Sequence, residues 1–329
     1  MISFSARAVL PLLSCSFLSA AEAPKEPTEF PEKYQLVRVI GERGKEEGKF
    51  YRPCGMAFTP EGNLAVADTL NHRVQVLSPD GKVVLCFGKR GMSEGRFTNP
   101  CHLVVDKDGS MYITESLTDR IQKFSKDARL LAVFGKSGHK DGEFDRPLGI
   151  AMTPDGQLCV ADHGNKRIQR WSLDGKYLGS FGNTGEESVR LKGPYGLSLD
   201  SKGSVYVADA PAHQVKVYGP DGKFLRSIGQ RGKKPGEFIL PFGVYVDKAD
   251  SVFVADSGNQ RVQKLSPDGR VLAIIGERGE VTGPKAQTYS LGEEKGNFLW
   301  PLTMIEDKDG NLYVSEHTNC RIQVFRRAR

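Results

Sequence analysis

Gly41, Gly88, Gly135, Gly182, Gly229 and Gly276 recur every 47 residues without a slip. Twelve residues after each of the first five stands a proline: Pro53, Pro100, Pro147, Pro194 and Pro241. The sixth, Pro301, comes 13 residues late, because the chain carries an insertion after Gly276. A period in the forties marks an architecture in which one supersecondary unit cannot bury its apolar face alone and stacks on copies of itself. The chain is therefore one module written six times.

Within one period the text reads as four short strands. In the first they are Gly55 to Thr59 (a), Asn63 to Ala67 (b), Arg73 to Leu77 (c) and Lys82 to Phe87 (d). Turn chemistry separates them: Pro60-Glu61-Gly62 and Pro79-Asp80-Gly81 combine a proline that presets one dihedral with a glycine that accepts positive φ. No helical stripe of useful length follows residue 34, so the fold class is all-β. Six four-stranded antiparallel sheets arranged radially cover each other's faces and leave no long open edge, which predicts a six-bladed β-propeller. An extra d-type strand, Tyr34 to Ile40, precedes the first repeat, and the chain ends on a c-type strand, Arg321 to Phe325. The N-terminal strand should complete the last blade and close the ring.

The stretch Val66-Ala67-Asp68-Thr69-Leu70-Asn71-His72-Arg73-Val74-Gln75-Val76 resembles the signature of NHL repeats, and close copies run through Asp162 to Gln169, Asp256 to Gln263 and Glu316 to Gln323. The resemblance covers residues 34 to 326 and implies the propeller fold; it leaves function open, because one scaffold serves enzymes, RNA binders and docking modules. Amidating lyases share a six-bladed ring of this kind, with an axial zinc held by three histidines directly after the strand-a proline. Here those positions are Cys54, Cys101, Leu148, Tyr195, Phe242 and Leu302, with no histidine among them. Lactonase-type propellers hold an axial calcium with carboxylate and amide oxygens. The strand-a centres of this chain, Met56, Val104, Ala151, Leu197, Val244 and Met304, offer apolar groups instead.

Residues 1 to 23 stand apart: Arg7, an apolar run from Ala8 to Ala20, then small residues up to Ala23. They read as a secretory signal peptide, which predicts a secreted or periplasmic protein. The run is too short to span a membrane, and a lipid anchor at Cys15 is the lesser alternative. Residues 24 to 33, rich in proline and glutamate, read as a disordered leader, and residues 34 to 329 as the propeller domain, expected to be monomeric. The odd set Cys54, Cys86, Cys101, Cys159 and Cys320 defines no disulfide framework. A net charge of +6 with both signs mixed in most loops argues against a nucleic-acid footprint.

Repetition separates architecture from function. The acids ending strand b (Asp68, Glu115, Asp162, Asp209, Asp256, Glu316) are shared by every blade, so with their arginines they read as braces of the b-to-c loops rather than catalysts. Phe50, Phe97, Phe144, Leu191 and Phe238, which end the d-to-a loops, read as packing anchors. What departs from the period is the mouth of the ring, where Cys54, Cys101, His102, Tyr195, Phe242 and Trp300 form a candidate ligand-binding cup. Within it Cys54, Cys101 and His102 are a candidate site for a soft divalent metal such as zinc; the plainer expectation is no cofactor. His163, His317 and the insertion from Arg278 to Asn297 are the other breaks in symmetry. The sequence thus points to a binding or docking module that meets a protein or small ligand on its d-to-a loop face. A metal-dependent lyase-like or hydrolase-like enzyme with an axial site is the competing class.

Overall fold

A computed structural model of the protein describes residues 29–276 and 295–328. Six four-stranded antiparallel sheets form the ring, each running a-b-c-d outward from the axis. In blade 1 the strands are Pro53–Phe58, Leu64–Asp68, Arg73–Leu77 and Val83–Phe87. Strand a thus begins at the repeat proline and stops before Thr59, which belongs to the turn, and strand b extends to the acid; both were expected one or two residues off. Three single turns of 3-10 helix, at Thr69–Asn71, Ala210–Ala212 and Ser257–Asn259, are the helical pieces among the described residues.

The closure expected from the strand count is present. Tyr34–Ile40 pairs antiparallel with Arg321–Arg327, from Tyr34 opposite Arg327 to Ile40 opposite Ile322, and the sixth sheet therefore contains both ends of the ring. Charge reinforces the seam: Lys264 Nζ, buried, bonds Glu32 Oε2 at 2.9 Å, and Arg327 lies 3.6 Å from the same carboxylate. Glu32, just before the first strand, is thereby tied to blades 5 and 6.

Six apolar clusters hold the ring, one at each seam between blades; Val66, Leu64 and Met56 of blade 1, for instance, meet Tyr313, Ile322 and Val324 of blade 6. The period glycine is explained at these seams. Gly41 has φ +74° and Gly88 φ +100°, a region that excludes most side chains, and a Cβ at either would come within 2.4 Å of the ring atoms of Phe50 or Phe97. Glycine and aromatic are two halves of one contact, and Phe50, Phe97, Phe144 and Phe238 are wholly buried.

Candidate functional site

Every blade fixes its d-to-a loop through the strand-b acid. In blade 2, Glu115 accepts from Thr98 N–H at 2.8 Å, Arg120 Nε at 2.6 Å and Gln122 Nε2 at 2.8 Å. Arg120 donates onward to the loop carbonyls of Met92 at 2.8 Å and Arg96 at 3.0 Å. Asp68, Asp162, Asp256 and Glu316 head the same network. Blade 4 varies it, placing buried Lys216 3.5 Å from Asp209. With their lone pairs spent on backbone and guanidinium donors, these acids hold the d-to-a loops in addition to the b-to-c loops expected, which Asn71, Asn165 and Asn259 tie to Asp68, Asp162 and Asp256.

The loops so fixed surround the mouth. Its inner ring is the second residue of each strand a, and the residues there are unequal. Tyr195 of blade 4 stands 4.6 Å, centroid to centroid, from Phe242 of blade 5, which lies 5.8 Å from Trp300 of blade 6. An aromatic arc thus covers half the mouth, and Trp300 is 37% exposed at its end. Tyr195 also meets His102 and His163 edge-on at 6.3 and 6.2 Å. Its ring therefore reaches across the axis toward blades 2 and 3, and burial followed by the Cys54 and Cys101 thiols pushes its hydroxyl well above the usual tyrosine range.

Around this ring lies a second one, the residue before each strand-a proline, of which the sequence singled out only Trp300. Arg52, Arg146, Leu240 and Trp300 all adopt left-handed backbone, with φ between 48° and 56°. Such a conformation is uncommon for side-chain-bearing residues and must be imposed by the surroundings. The neighbouring blade imposes it: Arg146 N–H donates to Asp119 Oδ1 at 2.7 Å, Leu240 N–H to His213 Nδ1 at 3.1 Å and Arg52 N–H to Cys320 Sγ at 3.4 Å. Two arginines and two apolar groups are thereby presented on the rim. Inequality at the position before each repeat proline was the signal available for finding them.

The remaining candidates fall into place individually. Cys54 and Cys101 are buried free thiols; burial first raises both, Cys101 to about 11, so neither is a ready thiolate. Cys101 Sγ lies 3.3 Å from Ser116 Oγ. His102 lines the axial cavity, which neither thiol does. Among the described residues, no three His, Cys, Asp or Glu side chains are grouped so as to hold a metal ion. His163 Nδ1 bonds the Pro194 carbonyl at 3.1 Å, the position where Thr69 and Ser257 use hydroxyls toward Pro100 and Pro301, so it acts as an inter-blade tie. His317 is held down to about 4, by burial and then by Arg52. The candidate insertion, except for its last residues, and the signal segment with Cys15 lie outside the described residues.

Below the inner ring a cavity of about 320 Å³ follows the axis, lined by the third to sixth residues of the a strands. The register puts Leu103 and Ile150, opposite Ile113 and Val160, level with Met56 opposite Val66. Val104 and Ala151, expected at those levels, are one residue further along. The third strand-a residue is glycine in four blades, where the carbonyl of the next blade presses against it; Gly196, for example, faces the Phe242 oxygen. Blades 2 and 6 place His102 and Thr303 there instead.

The family comparisons agree with this geometry. A model of the NHL repeat matches residues 50–77 and 144–171, and a six-bladed β-propeller model matches residues 185–275. The chain carries NHL repeats. This NHL-repeat propeller is 46% identical over 43 residues to the B-box type zinc finger protein ncl-1 of Caenorhabditis elegans, across 13% of the chain and 5% of that protein. It is 37% identical over 62 residues to protein brain tumor of Drosophila melanogaster, across 17% of the chain and 6% of that protein. The chain therefore spans about a twentieth of the length of these curated relatives. Among solved structures, a streptogramin B lyase superposes with TM-score 0.61 at 13% identity, covering 90% of the chain and 98% of the lyase. A gluconolactonase from Xanthomonas campestris gives 0.62 at 14%, with 90% and 98% covered. A structural-genomics protein from Bacteroides thetaiotaomicron gives 0.69 at 18%, with 90% and 76% covered. At these identities the NHL-repeat propeller shares their fold. No described helix is long and apolar enough to cross a membrane.

Proposed function

We propose that the protein is an exported binding module whose d-to-a loop face receives an apolar or aromatic side chain flanked by negative charge. The observation that carries this reading is the arc Tyr195–Phe242–Trp300, half-buried at its centre and exposed at its end. Arg52 and Arg146 stand exposed on the rim and supply the complementary charge. A rigid aromatic surface loses little entropy on contact, which suits it as an anchor site. Support also comes from the braces: they commit the repeated acids and arginines to holding the face, leaving the unequal residues at its centre to make contacts. Selection of dodecapeptides displayed on phage against the immobilised protein tests this. Enriched sequences should pair an aromatic or aliphatic residue with Asp or Glu, and their affinity should fall about tenfold or more in Trp300→Ala. Selected peptides indifferent to Trp300→Ala and to Arg52→Ala would defeat the reading.

A further inference from the structure

The axial cavity lies on the far side of Tyr195 from the mouth. In four blades the pair at the third strand-a position and its strand-b neighbour is glycine with alanine; in blade 2 it is His102 with Thr114, and in blade 6 Thr303 with Ser315. Thr114 Oγ1 donates to the Leu148 carbonyl at 2.6 Å, and Ser315 Oγ to that of Cys54 at 2.9 Å. The hydroxyls thus take up the neighbouring carbonyls that glycine accommodates elsewhere. That exchange leaves the His102 and Thr303 side chains free to enter the cavity, and there His102 Nε2 and Thr303 Oγ1 are both buried without a hydrogen-bond partner. His102 is only 7% exposed, and an unmet buried polar group carries a cost of about 1–3 kcal/mol, so its presence in two blades calls for a partner.

The opposite end of the cavity is acidic. Glu306, Phe58 and Tyr245 line it and also line a larger cavity of about 590 Å³ among the a-to-b turns, so Glu306 stands at the threshold between them. Asp247, Asp307 and Glu32 face Glu306, opposed by Lys264, whose ammonium is already engaged by Glu32 at 2.9 Å and Asp247 at 3.5 Å. Between the two polar ends the walls are Met56, Leu103, Ile150, Leu197, Val244 and Met304.

We infer that this cavity binds a small organic amine, with its ammonium at Glu306, its apolar body between the methionines and a hydroxyl or carbonyl at His102 and Thr303. A volume of about 320 Å³ suits a ligand of fragment size. Neutral imidazole and a threonine hydroxyl can each donate or accept, and burial holds His102 neutral by lowering it to about 4. Burial, then Asp247, raises Glu306 to about 7, so amine affinity should weaken as pH falls through that value and the carboxylate is lost.

Tyramine, phenethylamine and 4-ethylphenol separate the two ends in calorimetric titrations of the full chain. Tyramine should bind one to one and tightest. Glu306→Gln should weaken both amines about tenfold and leave 4-ethylphenol within about twofold. The double variant His102→Gly/Thr114→Ala installs the pair used by four other blades; it should fold and should weaken the two phenols but not phenethylamine. Thermal unfolding of each variant, alongside Trp300→Ala as a control at the other face, separates loss of contact from loss of fold. Absence of binding by all three probes, or amine binding unchanged in folded Glu306→Gln, would overturn the inference.

Discussion

Thr114 Oγ1 donates to the Leu148 carbonyl oxygen at 2.6 Å, across the seam between blades 2 and 3. The same hydroxyl accepts from His102 N–H at 3.1 Å. Because the carbonyl is buried, Thr114→Ala alone should cost about 1–3 kcal/mol. Adding His102→Gly should recover part of that loss, since the carbonyl can then settle against the glycine as it does elsewhere in the ring. A double-mutant cycle in urea measures the coupling; strict additivity would contradict the exchange.

Positive-φ glycines should divide by what faces them, a turn glycine such as Gly62 on one side and a period glycine such as Gly88 on the other. Gly62 has φ +85° with open space around its missing Cβ, so Gly62→Ala should cost about 1 kcal/mol from backbone strain alone. Gly88→Ala adds a collision with the Phe97 ring and should cost at least about 2 kcal/mol more. Equal losses in chemical denaturation would mean that the ring contact does not set the period.

Removing a brace acid should be severe. Glu115→Ala strands the Arg120 guanidinium, 8% exposed, and two further donors, and should cost about 3–5 kcal/mol by equilibrium unfolding. Loss of less than about 1 kcal/mol would remove the acid from its assigned role.

Two groups should shape the pH dependence in opposite directions. His317 titrates at about 4 in the fold against 6.5 ordinarily, so its contribution is present above pH 6.5 and disappears as pH falls toward 4. His317→Gln should flatten that acid limb. Glu306 is raised from 4.5 to about 7, so its favourable balance holds below pH 4.5 and is lost as pH rises to 7. Glu306→Gln should therefore gain stability relative to the parent between pH 4.5 and 7. Melting curves collected across this range read both signs.

The ring was plain in the text because architecture repeats: Gly41 with Phe50, Asp68 with Arg73 and the proline at residue 53 are each written several times, and a contact needed at every seam leaves a periodic trace. The site is less visible for the opposite reason. Tyr195, Phe242 and Trp300 could be placed together at the mouth once the strands were counted, yet the left-handed Arg52, Arg146 and Leu240 depend on hydrogen bonds that their N–H groups donate to Cys320, Asp119 and His213 in the preceding blade. His102 was visible as a candidate at the mouth, next to Cys101. What freed its side chain was Thr114, twelve residues later, through a carbonyl in a third blade. Val104 and Ala151 show the limit most simply: a slip of one residue in a short apolar strand leaves the pattern unchanged while turning the wrong side chain to the axis.

Trp300 gives the most direct reading of the mouth. The chain has two tryptophans, and Trp171 is buried against Phe144 with only 4% exposure, so Trp171→Phe leaves Trp300 as the sole indole reporter. Titration of that variant with a selected acidic-aromatic peptide should shift Trp300 emission to shorter wavelength, saturate at one peptide per chain and disappear in Phe242→Ala. A peptide that binds with unchanged Trp300 emission would place recognition elsewhere and contradict the account.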